Sequence, residues 1–183
     1  MILCKQLAKL LSNHKWTVLD LWAWDWRYSI FCASFWNQVI ALDNESKENW
    51  LRPKYLQWHP NISFENADLR NLPEFILNWK YSLILLLNVL PFLKKKFFLE
   101  LLLTKLVELL EDDWVLVLSF FFPDDETMNS NPLSFYTFDD FENPNNNKHF
   151  SIQYKEELFT KEDHAPIGPH IHHIGYIEIK KVH

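Results

Sequence analysis

The stretch Val18-Leu19-Asp20-Leu21-Trp22-Ala23-Trp24-Asp25-Trp26 decides how this chain folds. It starts as an apolar run from Thr17 to Leu21, the pattern of a strand buried on both faces. One acidic residue, Asp20, interrupts that run, and a buried charge needs a purpose. Residues 27–35 then fit a helix. The turn between strand and helix carries three tryptophans two residues apart. Bulky side chains are the opposite of what a tight strand-to-helix turn requires.

Outward from this turn, strands and helices alternate. Ile2–Leu11 has helical apolar spacing. Further strands are expected at 38–42, closed by Asp43, at 62–66, at 81–87 and at 115–122. Helices are expected at 47–57, which contains Pro53, and at 94–110. Such alternation predicts a parallel sheet with helices on both faces. Residues 123–148 read as a long Asp-, Asn- and Pro-rich loop with a short helix near 138–141. Two final strand-like segments, 150–159 and 172–181, predict an antiparallel hairpin. The expected fold is a Rossmann-like seven-stranded α/β sheet, parallel except for that hairpin. The chain reads as one domain: an N-terminal helix (1–14), βα units (15–122), a loop (123–149) and the hairpin (150–183).

Composition narrows the function. The 183 residues suffice for one full core. The net charge of −6 disfavours a nucleic-acid partner. Cys4 and Cys32 cannot form a disulfide framework, and no leader or membrane-spanning run is legible; the expectation is a cytoplasmic protein without a membrane partner. Glycine ordinarily supplies about 7% of residues, roughly a dozen in a chain of this length. There are 2 glycines, Gly168 and Gly175, against 9 tryptophans. Together they number about what glycine alone should.

The tryptophans sit where glycine is expected. Trp22, Trp24 and Trp26 line the first turn, where positive φ and close approach of a cofactor to the backbone call for glycine. Trp36 stands at a helix C-terminus. Trp16, Trp50, Trp58, Trp79 and Trp114 fall in or beside turns. Our reading is that these positions are encoded as glycine. Some bacterial lineages decode UGA as glycine, whereas a common alternative genetic code reads it as tryptophan. The polypeptide as written should show distortion at the first turn.

With glycine restored, residues 18–27 read Val-Leu-Asp-Leu-Gly-Ala-Gly-Asp-Gly-Arg. This resembles the D-x-G-x-G-x-G motif of class I S-adenosylmethionine-dependent methyltransferases. The resemblance implies that Asp20, Trp22, Ala23, Trp24 and Trp26 surround the methionine part of the cofactor. Val39-Ile40-Ala41-Leu42-Asp43 resembles the second motif, in which Asp43, followed by Asn44, accepts from the ribose hydroxyls. Asn66-Ala67-Asp68-Leu69 resembles the third, with Asp68 accepting from the adenine amino group beside Ala67 and Leu69. Asn88 follows the fourth strand, beside the methyl-transfer site. Ser82 stands where a carboxylate is often found.

The C-terminal segment 163–173 resembles the small-molecule methyltransferases grouped with tellurite-resistance and thiopurine-type enzymes. Its His170, His172 and His173, with Arg27 and Tyr28, are the candidate substrate contacts. His164, His170 and His172 could together hold a metal, but no metal is the expectation. The implied activity is direct methyl transfer to a small-molecule acceptor, which requires no catalytic residue on the enzyme. Oligomeric state and acceptor are unknown at this level. The alternative is a non-catalytic methyltransferase-like binding or regulatory domain, if tryptophan truly occupies 22, 24 and 26. A nicotinamide-dependent oxidoreductase fits less well, because its G-x-G-x-x-G spacing is absent.

Overall fold

A computed structural model describes residues 2–12, 15–23, 26–44, 59–126, 134–143, 148–164 and 168–182. The helix expected at 47–57 lies outside them, as do Trp24, Asp25, Trp50 and Trp58. Seven strands form one sheet: β1 (Thr17–Leu21), β2 (Gln38–Asp43), β3 (Ile62–Asn66), β4 (Tyr81–Leu86), β5 (Leu110–Phe121), β6 (Phe150–His164) and β7 (Gly168–Lys181). Their order is β3-β2-β1-β4-β5-β7-β6. β1 pairs in parallel with β2 and β4, and β2 with β3, while β7 runs antiparallel to both β5 and β6. The expected parallel sheet with an antiparallel C-terminal hairpin is the fold observed.

The chain divides into two compact units. The first comprises Met1–Leu85 and Leu109–Trp114. Its central strand is β1, buried from Val18 through Leu21, and every residue of β4 is buried. Such strands do not alternate, because in a parallel sheet the packed helices cover both faces. At the sheet edge, β3 is only partly buried. Helix α1 (Ile2–Leu11) buries Leu3, Leu7 and Leu11, as its spacing predicts. Helix α2 (Arg27–Ser34) buries Ser29, Cys32 and Ala33. A short helix, α3 (Glu74–Leu77), was not legible in the sequence; its four residues are too few to show a period.

The second unit comprises Leu86–Glu108 and Val115–His183. The single helix expected over 94–110 is α4 (Lys95–Phe97), a π-helical stretch (Phe98–Leu102) and α5 (Leu103–Glu108) in succession. α6 (Phe138–Glu142) starts with a capping box, in which the Thr137 N–H donates to Asp140 Oδ2 at 2.8 Å. Phe120 stacks on Phe141 and meets Phe122 and Phe138 edge-on or tilted. Both hairpin strands run longer than their apolar patterns suggested, through His164 and from Gly168, because backbone pairing continues along polar residues. Among the described residues no helix is long and apolar enough to cross a membrane.

Candidate functional site

In the first unit the strand order reverses between β1 and β4, since β2 and β3 extend one way from β1 and β4 lies on its other side. In open α/β sheets, ligands bind outside the carboxyl ends of the strands at such a switch point. The turn after β1 sits there. Its Trp22 and Ala23 N–H groups both donate to the Leu42 carbonyl at 2.9 Å, which fastens the turn to the end of β2. The Trp26 N–H donates back to the Ala23 carbonyl, and the Trp26 carbonyl accepts from Ile30 to start α2.

Two described residues of this turn are left-handed. Trp22 has φ 81° and Trp26 has φ 62°. A third tryptophan, Trp36, has φ 64° just after α2, and its N–H donates to the Ala33 carbonyl at 2.9 Å. That is the C-terminal helix cap usually made by glycine. For a residue with a Cβ, each such conformation costs about 1–2 kcal/mol. Of the five non-glycine residues at positive φ among the described residues, three are tryptophans. Two of these, Trp22 and Trp26, lie in the first turn, where the sequence led us to expect distortion. Trp114 departs from expectation: it lies within β5, and the left-handed residue there is its neighbour Asp113.

Trp26 is buried against Ala23, Ala41, Ile62 and Phe64, its ring centroid 4.9 Å from that of Phe64. Trp36 is 82% exposed and Trp79 60%. Asp20 is buried, and Ser29 Oγ donates to its Oδ2 at 2.5 Å. Ser29, one turn into α2, is a partner the sequence reading missed; the nine-residue separation gives no periodic signal. Burial, then the Asp20 charge, push the Cys32 thiol well above its ordinary value.

Asp43 is buried at the end of β2, its carbonyl accepting from the Ala67 N–H at 2.8 Å, and Asn44 beyond it is exposed. Asp68 is only partly buried. Its Oδ1 accepts from the Arg70 N–H at 2.8 Å in a turn, and its carboxylate takes a forked contact from the Arg70 guanidinium. Those hydrogen bonds hold the Asp68 carboxyl below the usual range. Arg70 was also missed, because a lone arginine in a loop carries no pattern. Leu69 is buried beside Asp68, whereas Arg27 is exposed and Tyr28 half-buried.

In the second unit, Asn88 has φ 60°; its N–H donates to Ser119 Oγ, which in turn donates to Asn88 Oδ1 at 3.1 Å. The three histidines divide by strand parity. His170 and His172 share one face and are buried, with their Nε2 atoms 3.0 Å apart. His173 points the other way, stacked between Phe122 and Phe159 at 4.1 and 4.3 Å, with Asp124 and Glu157 at its two ring nitrogens. The sequence reading therefore grouped side chains that the strand separates.

No protein-family model and no curated protein matches the chain by sequence. Solved structures match it by shape. TehB from Haemophilus influenzae superposes with a TM-score of 0.76 at 14% identity, over 100% of this chain and 62% of that one. Coclaurine N-methyltransferase, bound to N-methylheliamine and S-adenosylhomocysteine (SAH), gives 0.69 at 18% identity, over 86% of this chain and 50% of that one. A Burkholderia thailandensis 1,6-didemethyltoxoflavin-N1-methyltransferase with its substrate and SAH bound gives 0.72 at 16% identity, over 98% and 76%. The chain thus spans less than two thirds of the first two. What the likeness shows is the fold: this chain has the seven-stranded Rossmann-like architecture found in these methyltransferases.

Proposed function

We propose that this chain is an S-adenosylmethionine-dependent methyltransferase for a small-molecule acceptor, and that its native polypeptide carries glycine where tryptophan is written. The observation that carries the reading is the left-handed backbone at Trp22 and Trp26, in the turn after the strand that holds Asp20. Glycine alone takes that conformation freely and admits a ligand to the backbone. The donor set also suits the cofactor. Asp43 brings a carboxylate to a strand end, where it would accept from ribose hydroxyls. Asp20 and Ser29 brace the turn, and Ala67, Asp68 and Leu69 would take the adenine. Positions 22 to 26 would take the methionine part. The indoles written at 22 and 26 do not fit that role.

The cofactor supplies an activated methyl group. The chain's residues would bind it, orient it and keep water out, so positioning can supply most of the rate. Arg27 and Tyr28 are the proposed acceptor-side residues of the first unit, with the tellurite-resistance and thiopurine-type enzymes as the subgroup. The second reading, a non-catalytic domain with tryptophan in place, would rest on the packing of Trp26 against Phe64.

Two measurements separate the readings. Intact mass of the protein from its own host reports glycine or tryptophan directly, and UGG at the nine codons would remove the glycine reading. Calorimetric titration of S-adenosylmethionine into the chain with glycine at 22, 24 and 26 should give one site. No heat in that chain would overturn the methyltransferase reading.

A further inference from the structure

Glu162, His170 and His172 bring one ligand atom each to within 4.8 Å of one another, all inside the second unit. Glu162 faces His170 across the β6–β7 register. Both histidine rings are fixed from behind. His170 Nδ1 lies 2.7 Å from the Gly168 carbonyl, which can only accept, so Nδ1 carries its hydrogen and donates. His172 Nδ1 lies 3.1 Å from Oδ2 of the buried Asp125 carboxylate and donates in the same way. A stack on Phe121, 4.9 Å between centroids, holds the His172 ring plane.

With both Nδ1 atoms donating, two neutral imidazoles have no hydrogen left for Nε2. Their Nε2 lone pairs face each other at 3.0 Å. Such a pair is stable only with a cation between its members, either a shared proton or a metal ion. Two nitrogens on one tetrahedral zinc, at Zn–N of about 2.0–2.1 Å, stand about 3.3 Å apart. The observed separation is close to that. Glu162 Oε2 stands 3.9 Å from His172 Nε2 and, being half-exposed, can swing in as the third ligand. A histidine ligand whose other nitrogen donates to a carboxylate or a carbonyl is the usual arrangement behind a bound metal.

From this geometry we infer that Glu162, His170 and His172 form a site for a divalent transition-metal ion, of zinc type, backed by Asp125 and the Gly168 carbonyl. Among the described residues the ion would have two buried imidazoles and the half-exposed carboxylate, three of the four ligands of a tetrahedral site. The inference revises the expectation of no metal and brings in Glu162 as a ligand; the His164 side chain lies outside the described residues. It is independent of the methyltransferase reading, because none of its residues lies in the unit that carries the tryptophans.

The test uses the full chain, stripped with a chelator and titrated calorimetrically with zinc chloride, then with cobalt chloride under visible absorption. One equivalent of zinc should bind, and cobalt should show the ligand-field bands of a low-coordinate nitrogen and oxygen site. Magnesium should not bind, since imidazole suits it poorly. His170→Ala and His172→Ala should each weaken zinc by at least about a hundredfold, and Asp125→Asn by about 10–100-fold. His173→Ala, on the opposite strand face, should leave binding unchanged. Absence of zinc uptake by the unaltered chain, which needs no variant to fold, would show that a proton bridges the rings and would overturn the site. Equal binding in His172→Ala would do the same.

Discussion

The two units solve the same backbone problem with opposite residues. All nine tryptophans fall in the first unit and both glycines in the second. In the second, each glycine has a physical reason. Gly168 has φ 77° at the start of β7. Gly175 lies under the Phe120 ring, where an added Cβ would come within 2.2 Å of it. In the first unit the same positive φ occurs at Trp22, Trp26 and Trp36. The difference teaches that three tryptophans of the first unit hold a backbone conformation that glycine takes without strain.

The comparison breaks or sharpens under five variants and one control. Glycine at 22, 24 and 26 should tighten S-adenosylmethionine by at least about a hundredfold over the chain as written, which is about 2.7 kcal/mol. Calorimetry on both chains checks it, and equal affinity would dissolve the contrast between the units. Gly175→Ala should cost about 3 kcal/mol in urea unfolding, because the Cβ meets a ring already wedged among Phe122, Phe138 and Phe141. Ser29→Ala strips the buried Asp20 of a hydrogen bond and should cost about 2 kcal/mol by the same assay.

Trp36→Gly should stabilise by about 1 kcal/mol, since an exposed indole loses little burial and the left-handed cap is relieved. Trp79→Gly is its control: equally exposed in kind but not left-handed, it should gain nothing. Equal shifts in the midpoint of urea unfolding for the two would show that positive φ is not the cause. The smallest effect is at Asp68. Its carboxyl titrates below the usual value because of Arg70, so the stabilisation is present at neutral pH and lost as pH falls through the depressed value. Both side chains are substantially exposed, which keeps the effect small. Arg70→Ala should slightly flatten the loss of Tm between pH 6 and pH 3.

The sheet was legible because its signals are local. An apolar run such as residues 81–86 declares a buried strand, and the alternation of runs with helical spacing declares the parallel order. α3 and the full hairpin were not legible, since four residues show no period and polar strands pair through backbone alone. The carboxylates at strand ends were legible from their order along the chain. Their partners, Ser29 on Asp20 and Arg70 on Asp68, were not, because hydrogen-bonded neighbours in a turn follow no repeating spacing.

The deficit of glycine and the surplus of tryptophan were properties of the sequence alone, as was the succession of strands that makes the fold. The structure alone decided which tryptophans carry left-handed backbone, because φ depends on how the turn is tied to Leu42 and to α2. It alone set His170 and His172 nose to nose, with Glu162 across the ladder and Asp125 behind. Residues up to forty-seven positions apart meet there, and only strand register, which no single strand's sequence contains, brings them together.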